Sequence, residues 1–154
     1  MVTNTQLETY CRGLYDAWNR GDMEAFYEGI HDHVVDHNAG EGETGIAGVR
    51  AALDTVRTAF PDHAYEVLDV VADAARMSFV CRLRASGTHQ GDLFGIAPSN
   101  QHASWDEARF IRVEESEPGA RWPVRTLEHW AVIDSLTMMT GLGHVPAPGQ
   151  RESW

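Results

Sequence analysis

Between Thr5 and Arg20 the apolar residues Leu7, Tyr10, Cys11, Leu14, Ala17 and Trp18 recur at three- and four-residue spacing, which lines side chains along one stripe of an α-helix. Gly21 supplies a stop, so the pattern predicts an amphipathic helix over that stretch. Asp22 is placed to cap a short second helix carrying Met23, Phe26, Tyr27 and Ile30, and the run HVVDHN, His33 to Asn38, reads as a brief strand. The segment AGEGETG is a loop. Beyond it Ile46, Val49, Leu53, Val56 and Phe60 predict a third helix, ended by Pro61 because its ring cannot continue the helical backbone.

After Pro61 the apolar period drops from about 3.6 to about 2, through AYEVLDVV, MSFVCRLRA, ASWDEARFIRV and VRTLEHWAVID. Strands therefore follow helices, with hairpin-length links between them. That order favours an α+β fold in which helices cover one face of a curved, mainly antiparallel sheet. The segment THQGDLFGIAPSN is too long for a tight turn and apolar in its middle, as expected of a lid over the mouth of a cavity. It starts at His89, takes its apolar surface from Leu93, Phe94 and Ile96, and can bend at Gly91 and Gly95. EESEPGARWP reads as an extended hairpin loop and SLTMMTGLG as a final helix, with Asp134 in place to cap it. Residues 1–143 read as one domain, and 144–154 as a flexible tail.

Composition narrows the function classes. The 154 residues are 43% hydrophobic, enough for one core, and 12 basic against 23 acidic side chains leave a net charge of −11. Such a surface repels nucleic-acid backbones and anionic membranes. No apolar run approaches the roughly 20 residues of a spanning helix and no leader pattern opens the chain, which predicts a cytoplasmic protein. Cys11 and Cys81 fall within apolar stripes, as buried free thiols do. Phosphate loops, GxSxG elbows and CxxC pairs are missing from the sequence.

The unusual feature is EHWAVID, Glu128 to Asp134, apolar on both faces yet carrying an imidazole. Period-two geometry puts Ala131 and Ile133 on the face of His129, and sorts the preceding strand into Trp105, Glu107, Arg109 and Ile111 on one face and Asp106, Ala108 and Phe110 on the other. In HDHVVDHN, the residues His31, His33 and His37 stand two apart. A strand would project all three to one side, but His31 and His33 straddle the helix end and strand start, so no metal site is expected.

The chain resembles the SnoaL-like polyketide cyclase family, within the ketosteroid isomerase-like and nuclear-transport-factor-like superfamily. The likeness runs from about Leu7 to Gly143 through VVDHN, GTHQGDLFGIAPSN, the strand from SWDE to FIRV, and EHWAVID leading into LTMMTGLG. It implies a cone of helices wrapped on a bent sheet, a mostly apolar inner pocket, a homodimer formed through the outer face of the sheet, and no metal or organic cofactor. It also implies that the Trp105 face is inner, which would gather Glu107, Arg109 and His129 in one chamber, and that His37 and Asn38 line the pocket. His129 with Glu107 is then the expected proton shuttle for a small apolar carbonyl substrate, with Arg109 and His37 steadying an enolate. Trp105, His89, Phe94 and Ala131 complete the expected binding residues. The cyclases carry an aspartate two positions after the histidine; here that position is Ala131, which cannot move a proton. Three readings therefore stand: cyclase- or isomerase-type proton transfer, cofactor-free hydroxylation of a polyketide, and non-catalytic binding of a small molecule. A buried Glu–Arg–His network that only fixes the sheet would leave the same sequence trace.

Overall fold

The computed structural model describes residues 1–40, 44–147 and 149. Part of the AGEGETG loop (41–43) and most of the expected tail (148 and 150–154) lie outside the described residues. Helix α1, Asn4–Arg20, opens with a reciprocal capping box between Thr3 and Gln6 and closes at Gly21, whose φ of 72° suits a residue without a Cβ. Helix α2, Met23–Glu28, is capped by Asp22, which accepts from the Ala25 N–H at 3.1 Å. Strand β1, Ile30–Asp36, precedes helix α3, Gly45–Ala59. Strands β2, Ala64–Asp73, β3, Ser78–Thr88, β4, His102–Glu115, and β5, Val124–Ile133, complete the sheet before helix α4, Ser135–Gly141. Asp134 caps α4 as its position promised, accepting from the Thr137 N–H at 3.0 Å.

The strands lie in the order β1-β5-β4-β3-β2, antiparallel except for the parallel β1–β5 pair, so the fold is α+β with a five-stranded mixed sheet. Register shifts within β1–β5, β2–β3 and β4–β5 mark irregularities of the kind that bend a sheet. Inward residues of the long strands, such as Leu83, Trp105 and Ile111, are buried in the same core as Leu7, Tyr10 and Trp18 of α1. Their neighbours Phe110 and Val132, on the other face, are exposed. No helix among the described residues is long and apolar enough to cross a membrane.

Two expectations need correction. The early strand begins at Ile30 rather than His33 and stops at Asp36, because Thr126 N–H reaches back to the Gly29 carbonyl at 2.8 Å and starts the pairing earlier. His37 and Asn38 belong to the turn that follows. The 89–101 segment is not a lid over the inner cavity: Gln90 and Gly91 donate to the Ala59 carbonyl at the end of α3, at 2.9 and 3.2 Å, and Leu93 is buried there. Backbone docking holds the loop at the far end of the sheet, and Phe94 points to solvent, 76% exposed.

Gly91 makes that docking possible, since a Cβ there would lie 2.2 Å from the Thr58 carbonyl oxygen. Gly91→Ala should lower stability by about 1–3 kcal/mol in urea unfolding, and an unchanged midpoint would contradict the close approach.

Candidate active site

Alternation along β4 sends Trp105, Glu107 and Arg109 to the inner face in succession, and the β4–β5 register sets His129 opposite Ile111 on that same face. Together they form one hydrogen-bonded chain. Trp105 donates its indole N–H to Glu107 Oε1 at 2.8 Å, while Arg109 donates from Nε to Glu107 Oε2 at 3.0 Å and also from Nη2 to that oxygen. Nη2 also donates to Tyr65 Oη at 3.0 Å, and Nη1 lies 3.1 Å from His129 Nε2. Burial opposes the guanidinium charge, but Tyr65 and Glu107 outweigh it and hold the Arg109 pKa well above its ordinary value.

The other nitrogen of His129, Nδ1, lies 3.0 Å from Asp36 Oδ1. Guanidinium groups only donate, so Nε2 must accept; the ring is then neutral, with its proton on Nδ1 and given to Asp36. Burial raises the Asp36 carboxyl pKa, but the hydrogen bonds from His129 and the Asn38 N–H outweigh it, leaving the group below the usual carboxylate range.

Arg109, His129 and Asp36 line a partly open cavity of about 80 Å³ together with Tyr15, Tyr65 and an apolar wall that includes Val49 and Leu53 of α3. Burial pushes both phenols above their ordinary pKa, so they stay neutral donors. Tyr15 Oη pairs with the Cys81 thiol at 3.9 Å, while Tyr65 Oη accepts from Arg109 and its own hydroxyl proton has no acceptor among the described residues. The cavity therefore offers hydrogen-bond donors to a ligand oxygen beside one imidazole. A wider cleft of about 900 Å³ between α2, α3 and the β4–β5 hairpin shares only Ile30 with it, and its Arg121 and Arg125 are paired with Glu28 and Glu114.

The expected site is assembled only in part. His129 and Arg109 line the cavity, and Glu107 sits behind Arg109 with both oxygens engaged, its link to His129 running through Arg109 rather than a direct bond. Trp105 packs in the core against Phe60, ring centroids 5.4 Å apart, and does not reach the cavity. His37 faces the opposite side of the sheet, stacked on Trp130 at 4.3 Å and 2.8 Å from Glu128. Asn38 clasps the Ala131 backbone from both sides, at 2.9 and 2.6 Å, so neither Asn38 nor Ala131 contributes to the cavity wall. His89 is fully buried beside Phe60 and His144 at the far end, and Phe94 is in solvent. Of the three early histidines, His31 and His33 stay together, ring centroids 5.6 Å apart, with His31 pairing with Glu114, while His37 turns away to Trp130.

Asp36 was missed because the strand parity was misread. With His37 taken as inward, Asp36 falls outward. The parallel register Asp36↔His129 reverses this, since partners in a parallel pair share a face. Nothing in VVDHN separates the two parities, each of which carries one valine. His63, also unforeseen, is a half-buried neighbour of Trp105 whose pKa desolvation lowers to about 4; it accepts from the Trp18 indole at 3.1 Å and stays neutral.

The model of a family described as SnoaL-like polyketide cyclase matches residues 8–142. Among solved structures, IdmH of Streptomyces antibioticus, named as a polyketide cyclase candidate, is 28% identical over 90% of this chain and 99% of its own, with a TM-score of 0.71. AclR of Streptomyces galilaeus, named as a hydroxylase candidate, is 25% identical over 94% of this chain and 85% of its own, with a TM-score of 0.75. TsrD of Streptomyces laurentii shares the fold at 23% identity, covering 94% of this chain and 100% of its own, with a TM-score of 0.77. No curated protein sequence matches the chain significantly.

Two stability effects follow. Glu107→Gln leaves a buried guanidinium without its counter-charge and should cost about 3–5 kcal/mol in urea unfolding; a loss under about 1 kcal/mol would contradict the pairing. Asp36 has a lowered native pKa, so its contribution is present above its ordinary value of about 3.9 and disappears as pH falls through the native value. Asp36→Asn should therefore lose less stability than the parent between about pH 5 and pH 2, and parallel acid limbs would refute the assignment.

Proposed function

The chain belongs to the SnoaL-like polyketide cyclase family, and on that premise we propose that it is an enzyme which moves a proton at carbon in a polyketide-like or other apolar carbonyl compound without a cofactor. The observation that carries this reading is one partly open cavity holding a neutral imidazole, a fixed guanidinium and the unspent phenol proton of Tyr65. A carbonyl oxygen in the cavity accepts from Tyr65 Oη and draws Arg109 Nη1 away from His129. That exposes the Nε2 lone pair, which takes the proton alpha to the carbonyl while the donors hold the enolate oxygen. Glu107 serves through Arg109, keeping the cation in place.

The cavity is smaller than the roughly 300–1,000 Å³ of ordinary ligand sites, so it encloses only the reacting end of a polycyclic substrate. A larger guest has to displace the half-buried wall of α3. Two copies are proposed to pair through the outer sheet face, where Val71, Phe110 and Val132 leave apolar surface exposed.

A second reading has specific support. AclR carries a hydroxylase name, and Ala131 removes the acid that the resemblance assigns to aldol closure. The same carbanion would then meet dioxygen, and uptake of oxygen during turnover without added flavin or metal separates the two. Deuterium exchange into 2-tetralone, followed by NMR, tests the shared step: His129→Ala should slow it by about 10²- to 10⁴-fold. Equal rates in the variant, or no protein-dependent exchange in that ketone or a panel of related ones, would leave a binding role instead.

A further inference from the structure

We infer that Asp36 is a positioning residue of this site, which presents His129 with Nε2 as its basic atom and supplies the counter-charge for the imidazolium formed when that atom takes a proton. The inference rests on the proposed role of His129 as the base.

Local geometry builds the pair firmly. Asp36 is the last residue of β1, where a strand end would ordinarily fray, yet the turn that follows is hydrogen-bonded to β5 and holds it in place. His37 N–H donates to the His129 carbonyl at 2.9 Å, Asn38 brackets the Ala131 backbone, and the Asn38 N–H donates to Asp36 Oδ1 at 2.9 Å. The carboxylate and the imidazole are both shielded, with side-chain exposures of 16% and 15%. Only the Nδ1–H form of the ring satisfies both neighbours: Asp36 needs a donor, and Arg109 needs an acceptor.

The charge inventory gives Asp36 its second task. The network holds two carboxylates and one guanidinium, and the Glu107 charge is matched to Arg109 through two hydrogen bonds. Asp36 is therefore the carboxylate without a matched cation in the resting site. An imidazolium formed at His129 would still share the cavity with the Arg109 guanidinium, and the carboxylate 3.0 Å from its other nitrogen offsets that repulsion. Glu107 cannot do this, because it makes no hydrogen bond to the ring.

Asp36→Asn separates the hydrogen bond from the charge, since the amide oxygen still accepts from Nδ1–H while the negative charge is gone. In the unmodified protein labelled with ¹⁵N, the His129 ring should show a protonated Nδ1, slow to exchange with water, and an acceptor-type Nε2. Asp36→Ala should lose the slow exchange. For protein-dependent exchange of 2-tetralone, Asp36→Asn should lower kcat by about tenfold or more, up to the 10²- to 10⁴-fold due to the base itself, with KM unchanged. A ring protonated at Nε2 in the unmodified protein, or a kcat for Asp36→Asn equal to the parent's, overturns the inference. If Asp36→Ala does not fold, the near-isosteric Asp36→Asn carries the test alone. The spectrum needs no ligand, so a protonated Nδ1 together with full activity in His129→Ala would refute the catalytic reading and leave the Asp36–His129 geometry standing.

Discussion

A guanidinium taken out of water inside an apolar shell must be neutralised and hydrogen-bonded where it stands, and Arg109 meets that demand with every arm. Nε and Nη2 hold Glu107, Nη2 also holds Tyr65, and Nη1 meets His129. Each contact restricts another group. Glu107 is tied to Trp105 as well, Tyr65 is left with a free hydroxyl proton, and His129 is confined to one tautomer. Removing the cation would leave Glu107 buried and unpaired, so the pair is a structural requirement whatever chemistry the cavity performs.

The sheet explains how such a cluster can be gathered in a chain of this size. Glu107 and Arg109 are two apart on β4 and need only strand alternation; His129 arrives through antiparallel pairing with β4, Asp36 through the single parallel edge. Tyr65 reaches the cluster from β2 and Tyr15 from α1. The far end of the cone holds a different set of rings, Phe60, His89 and Trp105, closed over by the 89–101 loop. Polar chemistry and packing are thus separated along the strands. Where the resemblance expects an acid two residues after the histidine, the chain has Ala131, and on the reading proposed above a carboxylate comes instead from the neighbouring strand.

Much of the architecture could be read along the chain because it depends on periodicity. Stripes at three and four residues give α1 and α3, Asp22 and Asp134 cap the helices they precede, and alternation along β4 separates buried Glu107 from exposed Phe110. The candidate site was legible where it lies on those long strands, which includes Arg109, Glu107 and the inward His129. It was misread where the chain is short or irregular. His37 and Asn38 sit at a strand end that is one residue out of the expected parity, and Phe94 sits in a loop whose position is set by the Ala59 carbonyl rather than by its own pattern.

Sequence alone, then, determined which residues share a face, because side-chain direction within a helix or strand follows from backbone geometry that each segment carries by itself. Tertiary structure decided which faces meet. That Asp36 and not Glu107 touches the imidazole, that Arg109 covers its other nitrogen, and that the 89–101 loop docks away from the cavity all depend on strand register and on hydrogen bonds between segments far apart in the chain. Register in a strand as short as β1 is set by its partner, so no pattern within those seven residues could have settled it.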